Sequence, residues 1–212
     1  MSVSRFSTSR LLKVTAIVAW VLMIGGGFVA LTKYQNAPGA PAQAPASWPT
    51  ASAIPHAPDV PTLLVFAHPR CPCTDATMGE LRRLMRHVAG RVQVHAVFPQ
   101  PRKMADAWTE ASLWHDATSM PSVRVWRDRA GRETDRFGAA TSGQVLLYDT
   151  TGALRFQGGI TGSRGHEGAN AGRTALRSIL TDTTPARTET FVFGCPLQEH
   201  DAGACTTGRC PR

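Results

Sequence analysis

Residues 62–81 read TLLVFAHPRCPCTDATMGEL. Thr62 to Ala67 is a short apolar run bounded by Pro61 and by His68-Pro69, which predicts a strand buried on both faces. Further on, Met78, Leu81, Leu84, Met85 and Val88 recur at helical spacing. They predict a helix over 74–89, with Gly90 where a C-terminal cap belongs. Between strand and helix stands Cys71-Pro72-Cys73. Backbone N–H groups at a helix start carry partial positive charge and favour a thiolate. Strand, cysteine pair and helix start must coincide for this signal, so it is more specific than a bare Cys-x-Cys. Its bland alternative is a structural pair, buried and inert or bonded to cysteines of the tail.

Outward from this stretch the chain alternates strands and helices. Val92, Val94, Ala96 and Phe98 predict a second strand. Lys103 to Ala117 reads as one helix, with Trp108 and Trp114 as ordinary aromatics on its apolar side. Val123 to Trp126 is a short strand ending in the turn Asp128-Arg129-Ala130-Gly131. Gln144–Tyr148 and Ala153–Gln157 flank Asp149-Thr150-Thr151-Gly152, a hairpin signal. A last helix runs from Asn170 to Leu180. This order describes an α/β sandwich around one central sheet, over residues 62–181. The tail, 182–212, holds Cys195, Cys205 and Cys210 and reads as an irregular flap with one strand at Phe191 to Phe193.

The other end differs in kind. Val14 to Leu31 is an uncharged apolar run that reaches the lower limit for a spanning helix. Arg5, Arg10 and Lys13 precede it and only Lys33 follows closely, so the positive-inside bias leaves residues 1–13 in the cytoplasm. The anchor is assigned to 14–32. A cleaved signal peptide, with a site near Ala40-Pro41-Ala42, is the alternative, but the run is long for that role. Residues 33–61 are rich in Pro and Ala and read as a semi-rigid tether holding the domain off the bilayer, with Trp48 loose. The domain then lies in an extracytoplasmic space where disulfides persist.

Composition bounds the rest. A chain of 212 residues with formal charge +8 has room for one domain plus appendages. Four of its 23 basic residues precede Asp59, the first acidic residue. The modest remaining excess contains no dense basic run, which argues against a nucleic-acid partner. Five cysteines cannot all pair within one chain. If Cys205 pairs with Cys210 and Cys71 with Cys73, Cys195 is left to reach the site as a resolving thiol or as a metal ligand. Two thiolates with an imidazole from His68 or His166 suit Cu(I) or Zn. His68 either tunes the thiolate or is a loop histidine bonded to backbone. Ile160 to Gly168 is a glycine-rich loop whose Arg164 is placed to stabilise a thiolate or an anionic group, unless it is an ordinary turn.

LLVFAHPRCPCTDATMGEL resembles the active-site strand and helix of thioredoxin-like proteins. DRFGAATSGQVLLYDTTGALRFQGGIT resembles the second half of the TlpA-type branch. With HPRCPC, GGITGSRGHEG and FGC added, the pattern over residues 61–196 is similar to the bacterial RedB proteins. The resemblance implies a thioredoxin-like three-layer sandwich with a mixed central sheet and a thiol–disulfide exchange needing no cofactor. Its partners are protein thiols or disulfides, or a redox partner protein. It implies a single-pass protein of the bacterial inner membrane with a periplasmic domain. Cys71 falls at the attacking position and Thr74 where a resolving cysteine would stand, so Cys73, or failing that Cys195, must resolve. Pro72 restricts the backbone between the pair. Gly143, preceded by Ser142, occupies the place of the family's cis-proline, and Met120-Pro121 is an alternative place for a cis bond. The rival reading is a copper carrier, as in the SCO-type branch, with Cys71, Cys73 and His68 as ligands. A thiol peroxidase is disfavoured because His68 stands where a threonine is expected. The blandest alternative is a non-catalytic scaffold.

Overall fold

The computed structural model describes residues 4–197. The expected Cys205–Cys210 loop lies outside the described residues. The chain divides after Ala37 into two units. The first is one helix, α1 (Ser4–Asn36), of which Ser9–Asn36 is long and apolar enough to cross a membrane. Its large side chains, Trp20, Met23 and Phe28 among them, are exposed.

The second unit is built on a five-stranded sheet of order β3-β2-β1-β4-β5. Its strands are β1 (Thr62–Phe66), β2 (Gln93–Gln100), β3 (Val123–Arg129), β4 (Gln144–Tyr148) and β5 (Leu154–Gly158). β1 pairs parallel with β2 and antiparallel with β4, so the sheet is mixed. Every residue of β1 is buried, as expected for a central strand covered on both sides. On one face Leu63 and Val65 pack under α2 (Pro72–Val88) and α6 (Ala171–Leu180). On the other, Leu64 and Phe66 meet Ile54, Phe137 and Tyr148.

The helix expected over 103–117 is broken into α3 (Asp106–Thr109) and α4 (Ser112–Ser119). Ala111 between them is extended. The break turns the two tryptophans apart: Trp114 packs on Phe98, while Trp108 faces His68. A helix the pattern did not show, α5 (Arg132–Arg136), follows the expected turn. Asp128 starts it by accepting from the Glu133 and Thr134 N–H groups at 2.9 and 2.8 Å.

The expected tether is not a spacer from Pro38 onward. Gln43 N–H donates to the Gly138 carbonyl, Trp48 N–H to that of Gly152, and the Tyr148 hydroxyl to that of Pro45. Ile54 is buried, and Trp48 packs edge-on against Phe137 and Tyr148. Proline removes donors but leaves carbonyls and apolar rings, so a Pro/Ala segment can cover a sheet face that lacks a long helix. The strand expected at Phe191–Phe193 is likewise absent. Residues 188–197 form an irregular strap that touches β5 and the loop before β4 through single bridges, Gln157 with Glu189 and Thr141 with Pro196.

Candidate active site

β1 ends at Phe66 and the loop His68–Arg70 delivers Cys71 to the N-cap of α2, with Pro72 as its first helical residue. Proline is suited to that position because the missing N–H would have no helical partner. Ser142 ties this loop to the neighbouring one: its hydroxyl oxygen accepts from His68 N–H at 2.8 Å and lies 2.5 Å from the Thr74 hydroxyl. Gly143 has φ +90° and donates to the Phe66 carbonyl at 2.8 Å. A side chain there would press on Thr77. Among the described residues every peptide bond is trans, Met120-Pro121 included.

Three sulfurs converge. The strap brings Cys195 Sγ to 2.9 Å from Cys71 Sγ, and with Cys73 all three lie within 4.8 Å of one another. Cys71 is 1% exposed, while Cys73 and Cys195 are half-buried. Burial alone would raise the Cys71 pKa. Hydrogen bonds from the Cys195 side chain and backbone, the Thr74 hydroxyl and the Cys73 backbone outweigh it, and the net shift is downward. Cys195 moves the other way, to about 12, through burial and its position beside Cys71. Cys73 is raised by burial and by the neighbouring Cys71 charge. The site therefore holds one sulfur suited to be a thiolate and two suited to remain thiols.

Arg164 enters from the glycine-rich loop. It donates to the Gly194 carbonyl and hydrogen-bonds Cys73, lowering the pKa of both Cys73 and Cys195 against the other effects. His166 folds back on Gly162 and Gly168 of its own loop. His68 Nδ1 accepts from Arg70 N–H at 3.2 Å, the backbone-bonded loop role. Neither histidine belongs to the converging donor set, so the third donor beside Cys71 and Cys73 is Cys195 rather than His68.

Two contributors were not read from the sequence. Trp108 stands edge-on to His68 at 5.5 Å and under Arg70 at 5.7 Å, roofing the cysteine loop from α3. Glu80 is fully buried and accepts from Gly168 N–H, Asn170, Arg83 and Arg173, which fastens the loop bearing Arg164 to α2. Its one signal was a carboxylate among the apolar positions of α2. A cavity of about 560 Å³ opens beside Cys71, between Pro69–Pro72 and Ala111–Leu113.

No family model and no curated protein matches the chain. Among solved structures it is similar to the hypothetical protein SMc02350 from Sinorhizobium meliloti 1021. That match has TM-score 0.55 and 19% identity, over 78% of this chain and 96% of that one. An uncharacterized conserved protein from Geobacillus kaustophilus matches with TM-score 0.55 and 17% identity, over 78% and 94%. The mixed sheet in the order β3-β2-β1-β4-β5 makes the fold thioredoxin-like. The pneumococcal exposed lipoprotein thioredoxin Etrx1 from Streptococcus pneumoniae strain TIGR4 also matches, with TM-score 0.44 and 16% identity, over 59% and 86%.

Proposed function

We propose that this chain is a membrane-anchored, extracytoplasmic thiol–disulfide oxidoreductase of RedB type, acting on protein thiols or disulfides. The observation that carries the reading is the placement of Cys71 at the start of α2 with a second sulfur 2.9 Å away. Cys71 as thiolate attacks one sulfur of a substrate disulfide, forming a mixed disulfide and releasing the other sulfur as a thiolate. Cys73, or Cys195 in its place, then attacks Cys71 Sγ. The second substrate sulfur leaves and takes up the resolving thiol's proton. The site cysteines lose two electrons and the substrate gains them; the reverse sequence oxidises a dithiol. The N-terminal charge bias supports a cytoplasmic N-terminus and a periplasmic domain.

The test is a titration of the full chain in defined thiol–disulfide buffers, with alkylation and peptide mass mapping. The expected result is that Cys71 and one partner leave and re-enter the thiol pool together at one potential. If they stay alkylatable throughout, the reading fails.

The three-sulfur geometry favours one second reading, a copper carrier. Three thiolates complete a trigonal Cu(I) site, whereas Zn asks for a fourth ligand. Protection of the sulfurs that a chelator removes would support the carrier over the oxidoreductase.

A further inference from the structure

The strap around Cys195 is seated as a strand-like segment along the loop before β4. Ser142 N–H donates to the Cys195 carbonyl at 2.8 Å and Leu197 N–H to the Ala140 carbonyl at 2.9 Å, with Thr141 and Pro196 as the bridged pair between them. This backbone pairing carries no sequence information, so any extended segment can make it. It sets Cys195 Sγ where a sulfur must stand to exchange with Cys71. With the strap in place Cys71 is 1% exposed.

The position before the cysteine is constrained. A Cβ on Gly194 would collide with the Ser142 carbonyl oxygen, a backbone atom that cannot swing away. The Gly194 carbonyl accepts from Arg164, which also bonds Cys73. Recognition at this point therefore uses a carbonyl and the absence of a side chain.

We propose that the substrate of this site is an extended polypeptide segment carrying a Gly-Cys pair, laid along Ala140–Ser142, and that residues 193–197 hold its place in the resting chain. The proposal rests on the reading of Cys71 as the exchanging sulfur and names what that sulfur acts on. The incoming segment, its cysteine held in a disulfide, displaces the strap; the Cys71 thiolate attacks that cysteine's sulfur, and the other sulfur of the substrate disulfide leaves as a thiolate. Cys73, fixed beside Cys71 in α2, resolves the mixed disulfide. The Cys71–Cys73 bond forms as the bond between Cys71 and the substrate breaks, and the Cys73 proton passes to the departing substrate sulfur.

The test uses the full chain in detergent with Cys73→Ser and Cys195→Ser, which traps the mixed disulfide at Cys71. Two pentapeptides, Phe-Gly-Cys-Pro-Leu and Phe-Ala-Cys-Pro-Leu, are offered together in equal amounts, each activated as a mixed disulfide with an aromatic thiol. Both must wait for the same strap opening, so the ratio of adducts by mass reads selectivity alone. The expected ratio favours the glycine peptide by about tenfold or more. Equal capture of both overturns the proposal and leaves exchange at Cys71 standing. Failure of Cys71 to react with either peptide, or with the aromatic disulfide itself, overturns the redox reading and the proposal with it. In the otherwise unaltered chain, Gly194→Ala is expected to lift the strap and speed iodoacetamide alkylation of Cys71 by about tenfold or more. An unchanged rate overturns the strap as occupant. Should Gly194→Ala fail to fold, Leu197→Ser, which removes the strap's buried anchor, is read in the same way.

Discussion

The fully buried carboxylate of Glu80, on α2, meets the guanidinium of Arg173 on α6. A buried carboxylate is tolerated only when its charge and lone pairs are matched, and here Gly168, Asn170, Arg83 and Arg173 all donate to it. Removing it leaves donors in place that no longer have an acceptor. Glu80→Ala is expected to lower the unfolding free energy by about 2–4 kcal/mol, read as a shift of the denaturant midpoint at constant slope. Because the same carboxylate holds the loop bearing Arg164, the variant should also alter Cys73 alkylation under native conditions.

The sulfurs separate by single substitution. Cys71→Ser is expected to lower exchange with a model disulfide by about a hundredfold or more, since both other sulfurs favour the thiol form. Cys73→Ser should still yield a Cys71–Cys195 disulfide on oxidation, and Cys195→Ser a Cys71–Cys73 disulfide. Peptide mass mapping distinguishes these. A Cys73–Cys195 bond as the principal product of the unaltered chain would contradict the assignment of Cys71 as the central sulfur.

His95 gives the domain an acid-side weakness. It is fully buried in β2, accepts from the Trp126 indole N–H at 2.7 Å and bonds the Pro55 backbone. Burial, and then the nearby charge of Arg124, depress its pKa from 6.5 to about 4. The folded state thus prefers neutral imidazole, while the unfolded chain takes up a proton below its ordinary value. This stabilisation is complete above pH 6.5 and is lost as pH falls from there toward 4, about 3 kcal/mol in all. Replacing His95 with Gln should flatten the stability profile in that window. An identical slope in the variant would assign it to other groups.

Residues 38–61 belong to the folded unit, and truncation tests this. A chain beginning at Pro38 is expected to unfold cooperatively. One beginning at Thr62 loses buried Ile54 and the Trp48 contacts with Phe137 and Tyr148, and should be less stable by several kcal/mol, about 2–3 for each large side chain. Equal thermal midpoints would return this segment to the role of a spacer.

Much of the fold was legible because its signals are local. The apolar run of β1, the periodicity of α2 and the Asp149 hairpin sit in consecutive residues. Asp149 Oδ1 accepts from Thr151 and Ala153 within the turn that joins β4 to β5. What escaped depends on distant partners. Proline-rich composition shows no partner for residues 38–57, because the sheet face they cover is made far along the chain. The break at Ala111 and the turn of Trp108 toward His68 depend on packing rather than on helix periodicity. Cys71 and Cys73 were readable as a pair, and Arg164 as a loop cation. Cys195 was readable as the cysteine left to reach the site; that its sulfur stands 2.9 Å from Cys71 while His68 bonds the Arg70 backbone is a property of the folded strap.

The strap also sets an order of events during synthesis. Cys71 and Cys195 are 124 positions apart, and both Gly39 and the strap residue Val192 join through backbone hydrogen bonding at this end of the domain. A ribosome releases Cys71 and its helix long before Cys195. Throughout that interval the nascent chain carries a helix-capped cysteine without its cover, open to mispairing with any thiol or disulfide it meets. The sequestered site exists only once the late-made strap has landed, so the reactivity of a newly made chain should be highest before its folding is complete.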